Sequence, residues 1–286
     1  MHRSALSLIA ASLLSITPST WAASITLRYH LDPGATYEVT QLDHDKGESL
    51  SEFAMPGGTP QTHKSPFDRI SKSRWSMTVT KADKSGMQLA VAYGQQQGQE
   101  RMASPTTDAT AIFGNSEAQV HLDPLDGMVE VKTTPDDDMT RMLYTSRFIW
   151  LPALPQQSIK VDDDFTHEYH YRDNMMAWKG EDEYVLDEID GPLAYFSVES
   201  KLVAKYEFKA PDMGASGNNQ GMATIPSMGA MTYVYQGKGS AVFDTRLGMF
   251  IEWETKSAYN IPTTSIAGMK TSMRGVRQMR WELSKL

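Results

Sequence analysis

The chain has 286 residues, 40% of them hydrophobic, with a formal net charge of -8 at pH 7 and no cysteine. That length and apolar content can bury a core without disulfides. The acidic balance leaves no basic patch for nucleic acid or for an anionic membrane surface.

Residues 1–22, "MHRSALSLIAASLLSITPSTWA", read as a signal peptide. His2 and Arg3 give a short basic start, Ala5 to Ile16 an apolar run, and Thr20-Trp21-Ala22 a cleavage site with small outer residues. The expected address is the periplasm, with extracellular release as the variant. No later stretch is apolar enough to span a bilayer as a helix, so no transmembrane segment is expected. Residues 23–286 read as one β-rich domain, with two related halves meeting near 150–160 as the alternative.

The dominant period is two. "SITLRYHL" (24–31) places Ile25, Leu27, Tyr29 and Leu31 on one face, "DPG" turns, and "TYEVTQL" continues as a strand. "RWSMTVT" (74–80) and "MQLAVAY" (87–93) alternate in the same way. Three turns share one plan, "DKSGM" (83–87), "DPLDGM" (123–128) and "DTRLGM" (244–249). In each, Asp accepts from nearby backbone N–H groups and Gly takes the left-handed position that closes a hairpin. Residues 43–70 and 94–109 are polar, rich in Gly, Pro, Ser or Gln, and read as long loops.

Residues 133–151 predict one helix, with Thr134 as cap, Pro135 in the first turn and Asp136, Asp137 and Asp138 at its positive end. Met139, Met142, Leu143 and Ile149 would form its apolar stripe, and "LPALP" (151–155) would end it. Beyond it, "DFTHEYHYR" (164–172) aligns Phe165, His167, Tyr169 and Tyr171 on one side of a strand. Two further strand pairs and the closing "RQMRWEL" complete the pattern. The fold class is mainly β: a large curved antiparallel sheet or open barrel with one packed α-helix, or an α+β variant of it.

Motifs for chemistry are few. There is no Gly-x-Ser-x-Gly elbow, and "GKGS" (237–240) lacks phosphate-loop spacing and is flanked by strands. "DHDKGES" (43–49) starts like a calcium loop, but its Gly comes early and no closing Glu follows. His167 and His170 point to opposite faces of a strand, so one ion cannot take both. His167 with Tyr169 is a candidate pocket lining.

Residues 211–233, "PDMGASGNNQGMATIPSMGAMTY", place Met213, Met222, Met228 and Met231 in a Gly- and Ser-rich setting. They read as a soft apolar lip for a ligand. Met222, Met228 and Met231 as thioether ligands to Cu(I) are the alternative.

Several of these features together resemble a family of secreted bacterial domains of unknown function. They are "LRYHLDPGATYEV", the exit "LPALPQQSIKVDDDFTHEY" and the hairpin "GKGSAVFDTRLGMF". Asp162 or Asp163 and Phe165 stand where that family carries Gly and Trp. The resemblance implies an envelope location and a β-rich fold, and it supplies no site residues. The functional expectation is a non-catalytic envelope protein binding a hydrophobic small molecule, a lipid or a protein partner, without a cofactor. Cu(I) handling and a hydrolase built from dispersed residues are the alternatives.

Overall fold

The computed structural model describes residues 24–53, 59–137, 140–141, 144–145, 148, 151–172, 176–207, 230–266 and 269–286, apart from 101–115. Thirteen strands are drawn: β1 (Ser24–Ile25), β2 (Thr36–Phe53), β3 (Gln61–Asp83), β4 (Gly86–Glu100), β5 (Glu117–Asp123), β6 (Gly127–Thr134), β7 (Ile159–Lys160), β8 (Asp164–Arg172), β9 (Met176–Asp190), β10 (Leu193–Glu207), β11 (Ala230–Asp244), β12 (Met249–Ile266) and β13 (Met269–Lys285). Eleven form one antiparallel sheet in the order β6-β5-β4-β3-β2-β13-β12-β11-β10-β9-β8. Strands from both sides of residues 150–160 meet in it where β2 pairs with β13. β6 and β8 are its two edges, so the sheet is not closed by a ladder.

The sheet curls tightly. The Tyr184 and Phe250 rings lie 5.9 Å apart although β9 and β12 are three strands apart. A flat sheet would hold such positions ~14 Å apart. The hollow of one end is filled by chain that contributes no long strand. Leu27, Tyr29, Leu31, Tyr144, Phe148, Leu151 and Leu154 share one core with inward side chains such as Met77, Leu89, Phe196, Phe243 and Trp253. Burial of each large member contributes about 1.5–3 kcal/mol.

This plug is also tied to both edges of the sheet. The Tyr29 N–H donates to Pro124 O at 3.0 Å, and the Leu154 N–H to Leu125 O at 2.6 Å, beside the turn into β6. On the other side, the Ala153 N–H donates to His167 Nδ1 of β8 at 3.2 Å.

The hairpins form as expected. Asp123 Oδ1 accepts from the Leu125 and Asp126 N–H groups, Asp244 Oδ1 from Arg246 and Leu247, and Asp83 Oδ1 from Ser85. Gly86, Gly127 and Gly248 all take positive φ. These backbone donors hold the Asp123 carboxyl below the usual carboxylate range.

Four expectations need correction. Residues 24–31 keep their alternating burial, but only Ser24–Ile25 is a strand, because the rest passes through the hollow as plug. Residues 43–53 and 61–70 are strand, not loop, and β4 runs on through Glu100. Their polar side chains hid the period of two, since neither face there needs a continuous apolar row. The third concerns Thr134, which ends β6. The turn after it is capped by Asp137, whose carboxylate accepts from the Thr140 N–H and hydroxyl.

The fourth is the packed helix over 133–151. Helical backbone is described only at Thr140, Arg141, Tyr144, Thr145 and Phe148, and no helix is found as an element among the described residues. Burial at 140, 144, 145, 148 and 151 keeps a helical spacing. Met139, Met142, Leu143 and Ile149 of the expected stripe lie outside the described residues.

Candidate functional site

Beyond the plugged end, the inner face of the sheet is ordered in rows, because antiparallel register aligns one inward residue from each strand. One row is polar almost throughout. It runs His167, Asp182, Ser200, Gly237, Ser257, Arg277, Asp45 and Arg69, one residue each from β8, β9, β10, β11, β12, β13, β2 and β3.

The next row outward carries Gly180, Leu202, Tyr235, Tyr259, Gly275, Gly47 and Phe67. Trp178, Ala204 and Tyr233 lie one step further. Aromatic rings thus stand beyond the polar row, and the plugged core lies before it.

The rings of the outer rows form two clusters distinct from the main core. Phe67, Tyr259 and Ile261 gather with Tyr233, Tyr235 and Met273. Trp178 and Ala204 gather with Tyr171, Leu202 and Tyr233. Glycines make the room. A Cβ on Gly180 would lie 2.2 Å from the Tyr169 ring, and one on Gly275 would lie 2.8 Å from the Tyr259 hydroxyl. Both rings therefore lie against bare backbone. The buried Trp178 Nε1 has no hydrogen-bond partner among the described residues.

The polar row has two unlike ends. At the β13–β2–β3 end its charges are balanced. Arg277 Nε donates to both oxygens of Asp43, at 3.0 and 3.1 Å, with a further contact from Nη2. Burial pulls the Arg277 pKa down, but Asp43 outweighs it and the net direction is up. The Tyr259 hydroxyl donates to Asp45 at 2.8 Å. Burial nevertheless raises the Asp45 pKa, with Tyr259 and Arg277 pulling the other way. Asp43 and Asp45 are thus strand residues with organic partners and do not form a calcium loop.

At the β8–β10 end the only carboxyl of the row is Asp182, 3% exposed. The Tyr169 hydroxyl donates to it at 3.5 Å. Burial pushes the Asp182 pKa up to about 6, against the Ser200 and Tyr169 hydroxyls beside it. Burial, and then the Asp182 charge, raise Tyr169 in turn.

His167 and Tyr169, the candidate lining, share the inner face with ring centroids 5.3 Å apart. His170 is exposed on the other face. Met213, Met222 and Met228 lie outside the described residues. Met231 has its backbone in β11 opposite Tyr206, and its side chain is not described. Asp182, Ser200, Arg277, Trp178 and Tyr259 escape sequence reasoning, because only the register aligns residues so far apart in the chain. "YVYQGKG", with inward Tyr233, Tyr235, Gly237 and Gly239, held the one local signal.

No protein family model and no curated relative matches the chain. Among solved structures it is similar to an outer membrane channel from Pseudomonas putida F1, at 9% identity over 90% of this chain and 97% of that one, with a TM-score of 0.22. Pseudomonas aeruginosa OccK7 gives 7%, 88%, 99% and 0.19 in the same order, and Acinetobacter baumannii OccAB4 gives 7%, 89%, 99% and 0.13. Likeness at these TM-scores carries no argument about this chain.

Proposed function

We propose that this chain is an exported, non-catalytic binding protein of the cell envelope that holds an amphipathic ligand in the hollow of its sheet. The observation that carries the reading is the contrast between the two faces. The inner face beyond the plug offers aromatic clusters and a polar row, which suit an apolar body with a polar group.

The outer face alternates with it and is charged on nearly every strand. Lys238 pairs with Glu199, Lys64 with Glu48 at 2.6 Å, Arg274 with Glu48, and Lys201 with Glu181 at 3.7 Å. A Lys or Arg facing lipid at mid-bilayer costs about 2–4 kcal/mol, so this face suits water. Among the described residues no helix is long and apolar enough to cross a membrane. The leader-like residues 1–22 and the resemblance to secreted domains support export.

A neutral apolar probe such as N-phenyl-1-naphthylamine tests the reading. Saturable uptake by the purified protein is expected. Ser257→Phe, which fills the hollow, should weaken it by about tenfold, a loss of ~1.4 kcal/mol. Lys256→Phe, one residue away on the outer face, should leave it unchanged. Absence of saturable uptake, or equal effects of the two variants, would overturn the proposal.

A further inference from the structure

The two ends of the polar row differ in charge, and the difference points to a ligand class. At the β13–β2–β3 end, each carboxylate already has a partner. Asp43 holds Arg277, and Asp45 accepts from Tyr259 with Arg277 and Arg69 nearby. At the β8–β10 end, Asp182 has hydroxyl neighbours and, among the described residues, no Lys or Arg beside it. Among the described residues, the inward positions of β8, β9, β10 and β11 include no Lys or Arg. The lysines of these strands point outward, where Lys201 and Lys238 pair with Glu181 and Glu199.

The surroundings of Asp182 are aromatic. Tyr169 and Tyr184 flank it, and beyond them Tyr171 packs edge-on against Trp178 at 5.1 Å while Tyr233 stacks on Tyr235 at 6.1 Å. Ring faces and one carboxylate without a cation form the environment that stabilises an organic ammonium. An anionic head would meet Asp182 with no compensating Lys or Arg among the described residues. A metal ion would lack ligands, since His167 Nδ1 is occupied by the Ala153 N–H, and among the described residues no three His, Asp or Glu side chains converge.

We propose that Asp182 and the rings around it receive the ammonium group of a cationic amphiphile, whose chain lies along the aromatic rows. This inference rests on the hollow being a ligand site, and it names the ligand's head. The carboxylate is buried with the Tyr169 hydroxyl beside it, so binding would require the Tyr169 ring to swing off Gly180.

Three probes with the same ten-carbon chain test it: decyltrimethylammonium, decanoate and decanol, titrated calorimetrically into the purified protein. The cation is expected to bind at least ~10-fold more tightly than the other two. Asp182→Asn should bring the cation level with decanol. Equal affinities of all three for the unaltered protein, a comparison that needs no variant, would overturn the inference and leave the hollow as a neutral apolar site. A preference for the cation that survives Asp182→Asn would also overturn it. If none of the three binds, the hollow itself fails as a ligand site and the inference falls with it.

Discussion

Asp182 is a residue whose charge works against the fold. Its ordinary pKa near 3.8 is pushed up to about 6 by burial. Between those values the folded chain holds a proton that the unfolded chain has released, so stability falls as pH rises through this window. Above pH 6 the ionised carboxylate costs the fold at most about 3 kcal/mol, at about 1.4 kcal/mol per pKa unit. Asp182→Asn, which imitates the protonated form, should therefore raise the urea midpoint at pH 8 and leave it nearly unchanged at pH 4. A variant less stable than the parent at pH 8 would mean that the carboxylate is stabilised where it sits. Carboxyls perturbed by burial in this way are found at functional sites as well as in structural networks.

At the scale of the strand, the inner glycines of β9 and β11 do different things. A Cβ on Gly239 would lie 1.8 Å from the Glu254 carbonyl oxygen, which is ladder backbone and cannot yield. The atoms nearest a Cβ on Gly180 all belong to the Tyr169 side chain, which can turn away. Gly239→Ala should cost several kcal/mol, on the order of 3, whereas Gly180→Ala should cost about 1 and displace Tyr169. Thermal melts of the two variants check the ranking, and equal losses would contradict it. Strands at the plugged end were legible in the sequence, because Val39, Met77, Leu89 and Leu122 face a dry core and impose visible alternation. Hairpins were legible too, since Asp123 and Asp244 perform their chemistry within the turn. The outer halves of β2 and β3 were not, because Asp43, Asp45 and Ser71 line a polar inner face while Glu48 and Lys64 line a polar outer one. His167 with Tyr169 could be read from one strand, whereas the polar row needed eight strands in register.

The ladder of the sheet has one central junction. In the hydrogen-bonded ladder of the described residues its two flanks, β2 to β6 and β8 to β12, are joined through β13, which pairs with β12 on one side and β2 on the other, while the plug links the same flanks through the core. β13 also supplies Trp281 and Leu283 to the core and Arg277 to the polar row. A chain ending after Ile266 should lose cooperative unfolding and bind 1-anilinonaphthalene-8-sulfonate, as loosely packed states do. A single sharp transition in that truncated chain would show that the flanks hold together without the junction. The same connectivity bears on how the protein is made. Of the described strands β2 is among the first to be synthesised and β13 follows all the others, so the central ladder pairs segments separated by more than two hundred residues. Such distant pairing is slow, and until β13 arrives β2 remains an open edge. Synthesis order therefore delays completion of the sheet, and during that delay the unpaired side of β2 is where a newly made chain can pair with another chain instead of with its own β13.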